Sequence, residues 1–271
     1  SAFDIARSGR PGPVVIDVPK DVQNWRGAFK GAGKLLFRGY ERRIENLNNS
    51  RVSDKRCTAF FEMLMQSKRP LVYAGGGVIN SNASEPLRRF METFKIPGVT
   101  TLMGIGAIDT TSDLSMRMLG MHGAAFANYA VEDCDFLIAV GSRFDDRVAG
   151  KVKEFAPRAK NIAHFDIDAA EVGKVKAVTW SHVGDAGQAL NDVTDFGLRH
   201  GFTVDFSDWL NHARALRKEY AFNYDRESDL IQPHYVLEKL NEAVEGQAII
   251  STGVGQHQMW AAQYMGFEAP N

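Results

Sequence analysis

The sequence predicts an α/β protein: a parallel, doubly wound sheet with helices on both faces. Three observations predict it. Short apolar runs such as Phe136–Val140 alternate with stretches whose apolar residues recur at helical spacing. The runs are continuous, as in strands buried on both faces, and do not alternate apolar with polar. Most of them end in a glycine-rich or acidic turn that leads into the next helical stretch.

Taken in order, Ser53 is placed to cap a helix in which Cys57, Phe60, Phe61, Leu64 and Met65 share a face. Pro70 opens a strand over 71–74, and Gly75, Gly76 and Gly77 follow it. A helix is predicted over 84–94, a strand near 98–102, then a loop punctuated by Gly104 and Gly106. A second loop, 118–123, leads into a helix over 124–131. The strand at 136–140 ends in Gly141, Ser142 and Arg143. Strands over 161–167 and 178–183 come next, and Gly184-Asp185-Ala186 opens a helix to about residue 198.

From 206 to 244 the pattern is helical. Trp209, Ala213, Leu216 and Tyr220 share one face, and Pro233 stands where the first turn of a helix tolerates proline. Apolar strands are predicted at 13–18 and 248–251, isolated from the rest. A lone parallel strand leaves its N–H and C=O groups unpaired, so both are expected to be torn edges of neighbouring domains. Between 13–18 and the regular region, 20–50 has linker composition: scattered glycines and a polar run, too long for an ordinary loop.

Composition narrows the function. The chain has 271 residues, 32 basic and 33 acidic, for a net charge of −1. No basic stripe invites nucleic acid or an anionic membrane, and no apolar run approaches the roughly 20 residues of a membrane span. Two cysteines, both in apolar settings, read as reduced core thiols, and no ligand spacing suggests a metal.

In open α/β sheets ligands bind at the carboxyl ends of the strands. Gly75, Gly76 and Gly77 let the backbone approach a phosphate, although such a triplet also makes an ordinary tight turn, and it is not the G-x-G-x-x-G of an NAD site. Leu119-Gly120-Met121-His122-Gly123 is able to fold around a ring; His122 is more simply a structural hydrogen-bonder than an acid or base. Gly141-Ser142-Arg143-Phe144-Asp145-Asp146-Arg147-Val148 packs two arginines and two aspartates at a strand end, either as a solvated salt-bridge cluster or as a grip for phosphate or carboxylate. Asp166 and Asp185 end later strands and suit ribose hydroxyls, with helix capping an equal reading for Asp185. These turns are expected to converge on one elongated groove.

At this point the residues resemble a known family. The segments 8–14 and 17–21, Ser-Gly-Arg-Pro-Gly-Pro-Val and Asp-Val-Pro-Lys-Asp, resemble the exit from the pyrimidine-binding domain of thiamine-diphosphate enzymes. Residues 118–123 and 140–147 resemble the central domain of acetohydroxyacid (acetolactate) synthases, and 251–262 resembles the opening of their diphosphate-binding domain. The resemblance covers nearly the whole chain, in order, and is to the catalytic large subunit. It implies an end of the pyrimidine-binding domain at 1–20, a linker at 21–50, a central FAD domain at 51–200, connecting helices at 201–245 and the start of the diphosphate-binding domain at 246–271.

The activity implied is condensation of two 2-ketoacids, pyruvate with pyruvate or 2-ketobutyrate, with decarboxylation, in branched-chain amino-acid synthesis. The cofactors implied are FAD, thiamine diphosphate and Mg²⁺. FAD would contact Arg10, Gly75, Gly76, Gly77, Asn80, Thr101 and Leu102, then Leu119, Gly120, Met121, His122, Gly123, Gly141, Ser142, Arg143, Asp145, Arg147 and Val148. Asp166, Ile167, Asp185 and Ala186 would hold its adenosine end. Arg147 would take the second ketoacid's carboxylate, Met121 would border the substrate channel, and Val254, Gly255, Gln256 and His257 would approach thiamine diphosphate. Asp166 stands where relatives often carry the longer Glu.

The partners implied are a second catalytic subunit, as dimer or tetramer, and a small regulatory subunit, in the cytoplasm of a bacterium or an organelle of a plant or fungus. The catalytic Glu and the Mg²⁺ motif of the family have no match in these residues, so the chain alone is expected to be inactive and to hold FAD weakly. The competing readings are another thiamine-diphosphate decarboxylase or oxidase, and a stand-alone nucleotide-binding module.

Overall fold

The structure, a computed structural model, describes residues 2–28, 42 and 50–270. Most of the linker expected at 21–50 lies outside the described residues. Within 2–28 are two short helices, α1 (Ala2–Arg7) and α2 (Lys20–Asn24), neither of which buries a residue. The strand expected at 13–18 is not formed. Val15 is 90% exposed and Ile16 70% exposed, and no neighbouring strand among the described residues supplies the hydrogen bonds a strand needs.

The regular region opens with α3 (Asp54–Gln66), followed by β1 (Pro70–Ala74), α4 (Gly76–Asn80), α5 (Ser84–Phe94), β2 (Gly98–Thr100) and β3 (Ser115–Met118). Next come α6 (Ala125–Asp133), β4 (Phe136–Val140), α7 (Asp146–Ala149), β5 (Asn161–Asp166), β6 (Trp180–Val183) and α8 (Ala186–Arg199). Several elements were not predicted, among them β3, whose Ser-Met-Arg-Met sequence lacks a continuous apolar run, and α4, which begins inside the glycine triplet. Helices α9 (Ser207–Glu219), α10 (Pro233–Val244) and α11 (Gln256–Tyr264) complete the chain. The strand expected at 248–251 is absent, with Ile249 90% exposed and no strand partner among the described residues.

The six strands form one sheet in the order β3-β2-β1-β4-β5-β6, and every pairing is parallel. The chain runs outward from β1 through β2 to β3, then returns past β1 to β4 and continues outward to β6. Right-handed crossovers in these two directions put helices on opposite faces. The predicted doubly wound architecture is therefore present, and its switch point lies between β1 and β4.

The core sits against these faces. On one face Phe60 of α3 meets Phe136, Phe165, Phe90 and Trp180, all with ring centroids 5.4–6.0 Å apart. On the other, Tyr73 of β1 and His164 of β5 flank Ala139 of β4 in one row. Phe144 packs edge-on against both rings, at 5.4 and 5.3 Å. Helix α9 closes the amino end of β1, where the Trp209 indole N–H donates to the Pro70 carbonyl at 2.8 Å. Cys57 and Cys134 are both free and buried, and burial pushes the Cys57 thiol up to about 11.

Candidate functional site

A sheet whose strands all run one way presents all its carboxyl ends on one edge. Each predicted turn follows a strand of this sheet, so all of them lie along that edge: 75–77 after β1, 101–104 after β2, 119–123 after β3, 141–148 after β4, 166–168 after β5 and 184–186 after β6. Arg10 reaches the same edge from the amino-terminal segment. Its guanidinium lies 3.0 Å from Glu171 and 3.5 Å from Asp168.

The glycines make neighbouring turns touch. A Cβ at Gly75 would stand 2.2 Å from the Gly141 carbonyl oxygen, and one at Gly77 would stand 2.6 Å from the Gly141 Cα. Gly141 itself is at φ 55, the left-handed region in which glycine carries no Cβ penalty. The triplet therefore brings the turns after β1 and β4 into backbone contact at the switch point. The space its missing side chains leave is filled by protein, and in place of a tight turn the triplet opens helix α4.

The turns after β3 and β4 also meet. Their strands are separated by β2 and β1, roughly 14 Å at normal strand spacing. The loops nevertheless reach across, so that the Met121 amide donates to the Arg147 carbonyl at 3.0 Å. A Cβ at Gly120 would stand 2.9 Å from that same carbonyl oxygen. Met121 is 67% exposed and Arg147 is exposed, so both side chains are free to face a ligand. Asn128 of α6 braces the crossing from behind, accepting from the Gly120 amide at 2.8 Å and donating to its carbonyl at 3.0 Å.

The turn after β4 is held by a wedge. Phe144, buried and at φ 54, sits between Tyr73 and His164. His164 is fully buried and its Nε2–H donates to the Ser142 carbonyl at 2.9 Å, with Asp166 Oδ2 at 3.5 Å. Burial drives the Tyr73 phenol up, and the nearby Ser142 hydroxyl acts in the opposite direction. With Phe144 pinned inward, Arg143, Asp145 and Arg147 are left outside. Asp145 caps α7 by accepting from the Arg147 amide at 3.0 Å and lies 3.6 Å from Arg143. That amide, more than any charge, holds the Asp145 carboxyl below its ordinary value.

At the far end, Asp166 accepts from the Asp168 amide at 2.9 Å, and its carbonyl accepts from the Gly184 amide, joining the turns after β5 and β6. Asp185 caps α8 through the Gln188 amide at 2.8 Å, so the capping role is realised. Each carboxylate keeps lone pairs for a hydroxyl donor. Between these ends a pocket of about 260 Å³ opens, with Arg143, Asp145 and Asp146 facing Glu171 and Lys174. That volume is below the roughly 300–1,000 Å³ of sites that enclose a ligand. The expected single elongated groove is therefore not what this recess forms, since its lining stops at the turn after β4 and the segment after β5. Gly75, His122 and Asp166 share the rim of the carboxyl edge and do not line the recess.

Val254, Gly255, Gln256 and His257 follow none of the six strands and lie at the amino end of α11, where Val254 is 96% exposed. The predicted adenosine, phosphate and substrate-side residues are spread along one edge of the sheet, and the predicted thiamine-side residues lie at the start of α11. Sequence reasoning missed Asn128, His164 and Phe144 as supports. The single signal for Asn128 is an amide beside the buried face of α6.

Comparison with known proteins decides the family. A model of the thiamine pyrophosphate enzyme central domain matches residues 57–193, half of the chain. The chain belongs to this family. The match runs from α3 into α8 and contains the whole sheet and all six turns. Relatives cover 99% of this chain: acetolactate synthase 2, chloroplastic, of Nicotiana tabacum at 46% identity, the acetolactate synthase large subunit of Corynebacterium glutamicum at 44%, and the chloroplastic acetolactate synthase of Arabidopsis thaliana at 43%. The chain spans about two fifths of their length, 39–42%. Among the described residues no helix is long and apolar enough to cross a membrane.

Proposed function

We propose that this chain is the central portion of an acetolactate synthase catalytic subunit, which joins two 2-ketoacids with loss of carbon dioxide. The contact of Met121 with Arg147 carries the reading. Two residues assigned to the substrate side from separate motifs lie against each other, across two intervening strands, with their side chains exposed. Similarity to plant and bacterial acetolactate synthases over 99% of the chain favours this reading over another thiamine-diphosphate decarboxylase or oxidase. On the same reading, 1–20 ends the pyrimidine-binding domain, 21–50 links it to the FAD domain at 51–200, and 201–245 leads to the diphosphate-binding domain opening at 246–271.

The rim suits a flavin dinucleotide laid along it. Arg143 offers a bidentate fork to the pyrophosphate. Asp166 and Asp185 accept from ribose hydroxyls at the adenosine end. Gly120, Met121 and His122 offer a turn to the ring system, near Thr101 and Leu102. Arg147 binds the carboxylate of the second ketoacid, and Met121 supplies an apolar wall beside it. Val254, Gly255, Gln256 and His257 face thiamine diphosphate, with Mg²⁺ on its phosphates; that cofactor, when bound, supplies the carbanion chemistry. Catalytic dimers or tetramers, a small regulatory subunit, and a bacterial cytoplasm or an organelle complete the reading.

The test uses the protein at its relatives' full length. Titration with FAD, followed by flavin fluorescence, should saturate, and Arg143→Met should weaken binding about 10-fold or more. Arg147→Met should raise KM for the ketoacid while FAD binding is kept. Absence of flavin binding would overturn the flavin assignment, and an unchanged KM the role of Arg147.

A further inference from the structure

Strand β3 is irregular at one point. Gly98 pairs with Ser115 and Thr100 with Met118, so Met116 and Arg117 together stand opposite Val99. Arg117 takes φ 57, an unfavourable conformation for a residue with a Cβ. A bulge of this kind re-aims a side chain. Here it sends Arg117 to the carboxyl end of α11, where Nη1 donates to the carbonyls of Met265 at 2.9 Å and Gln263 at 3.2 Å. The last carbonyls of a helix have no partner inside it and carry partial negative charge, which a guanidinium satisfies.

Burial of Arg117 lowers its pKa, and Arg217 nearby adds to this, so the placement is held against its own electrostatic cost. A second tie runs the other way: the Gln263 side-chain amide donates to the His122 carbonyl at 3.0 Å. Just beyond α11, Thr110 and Phe267 exchange hydrogen bonds, and Arg88 donates to the Glu268 carbonyl at 2.7 Å. The carboxyl end of α11 is therefore fastened to β3 and to the turn that follows β3.

We infer that Arg117 and Gln263 are positioning residues that latch α11 to the 119–123 turn, so that the 254–257 loop at the other end of the helix is held in register with it. A helix of nine residues is a rigid rod of roughly 13 Å, so fixing one end fixes the other. The identity of the two ligands rests on the proposed function, whereas the latch rests on the contacts alone. Where a cofactor at one end of this rod steadies it, the arrangement that the other cofactor binds is favoured too, and the gain in affinity is the same factor in both directions.

The test measures FAD affinity of the full-length protein with and without thiamine diphosphate and Mg²⁺. In the unchanged protein the thiamine cofactor should tighten FAD about 5-fold or more. Gln263→Ala and Arg117→Met should each bring that factor close to one, and Arg117→Lys, a single-point donor, should restore part of it. Variants that bind both cofactors with undiminished coupling would overturn the latch. Amide hydrogen exchange of 256–264 provides a reading that needs no cofactor. It should quicken in Gln263→Ala, which removes only a half-exposed side chain, and unchanged exchange there would overturn the proposal. Failure of the unchanged protein to bind FAD would instead strike the functional reading, and the exchange result would still judge the latch.

Discussion

Two apolar runs of similar composition have opposite fates in this molecule. Phe136–Val140 is buried at every residue and paired with β1 and β5, whereas 13–18 leaves Val15 and Ile16 largely in solvent. Ile249 is as exposed as Val15, and α10 buries none of its residues. The difference is the company each run keeps. An apolar sequence becomes a strand when neighbours take up its N–H and C=O groups and a helical layer covers it. The central sheet has that company within its own residues. The flanks lack it among the described residues, and Val15, Ile16 and Ile249 stay in solvent.

The contrast is open to breakage by substitution. Leu137→Ala, in the middle of β4, should cost about 2–5 kcal/mol, and Ile16→Ala about 0.5 kcal/mol or less, both read by urea denaturation. Equal losses would mean that the flank is part of the same cooperative core. Next in size, Gly75→Ala drives a Cβ into the Gly141 carbonyl and should cost about 1–3 kcal/mol or more. Gly12→Ala, with nothing near the added atom, should be close to neutral. Asn128→Ala would leave both polar groups of Gly120 without their partner and should cost about 1–3 kcal/mol. Because Gly120 sets the approach of Met121 to Arg147, the ketoacid KM should rise with it.

The smallest effect concerns pH. Burial, reinforced by Arg56, lowers the pKa of His182 on β6. The unfolded chain then takes up a proton near pH 6.5 that the folded chain refuses. This contribution to stability is present above about pH 6.5 and is lost as the pH falls from there through the folded value. The Tm should therefore drop between pH 7 and pH 5, and His182→Gln should flatten the drop. A profile unchanged by the substitution would assign the pH dependence elsewhere.

Much of the sheet was legible in the sequence because its strands are continuous apolar runs, and their predicted positions differ from those found by one or two residues. Strand β3 was not legible. Its polar Ser115 and Arg117 break the continuous apolar run by which the other strands were read, and four residues are too few for the Ser-Met-Arg-Met alternation to stand out. Helix α4 was missed because glycines at a helix start argue against helix on propensity alone. The turns of the rim were readable as glycine-rich and acidic strand ends. What could not be read is which backbone each glycine touches, since Gly75 and Gly141 meet only after the sheet has ordered β1 beside β4. Asn128, Arg117 and Gln263 were invisible for a related reason. Each acts on a carbonyl or amide of a distant element, and carbonyls leave no mark in a sequence.

The central claim is that six turns on one edge of the sheet serve a single flavin dinucleotide. Amide hydrogen exchange of the full-length protein, with and without FAD, tests it most directly. Protection is expected together in 75–77, 101–104, 119–123, 141–148, 166–168 and 184–186, with the amino ends of the strands unchanged. Protection confined to the amino edge, or limited to the Arg143 recess alone, would contradict it.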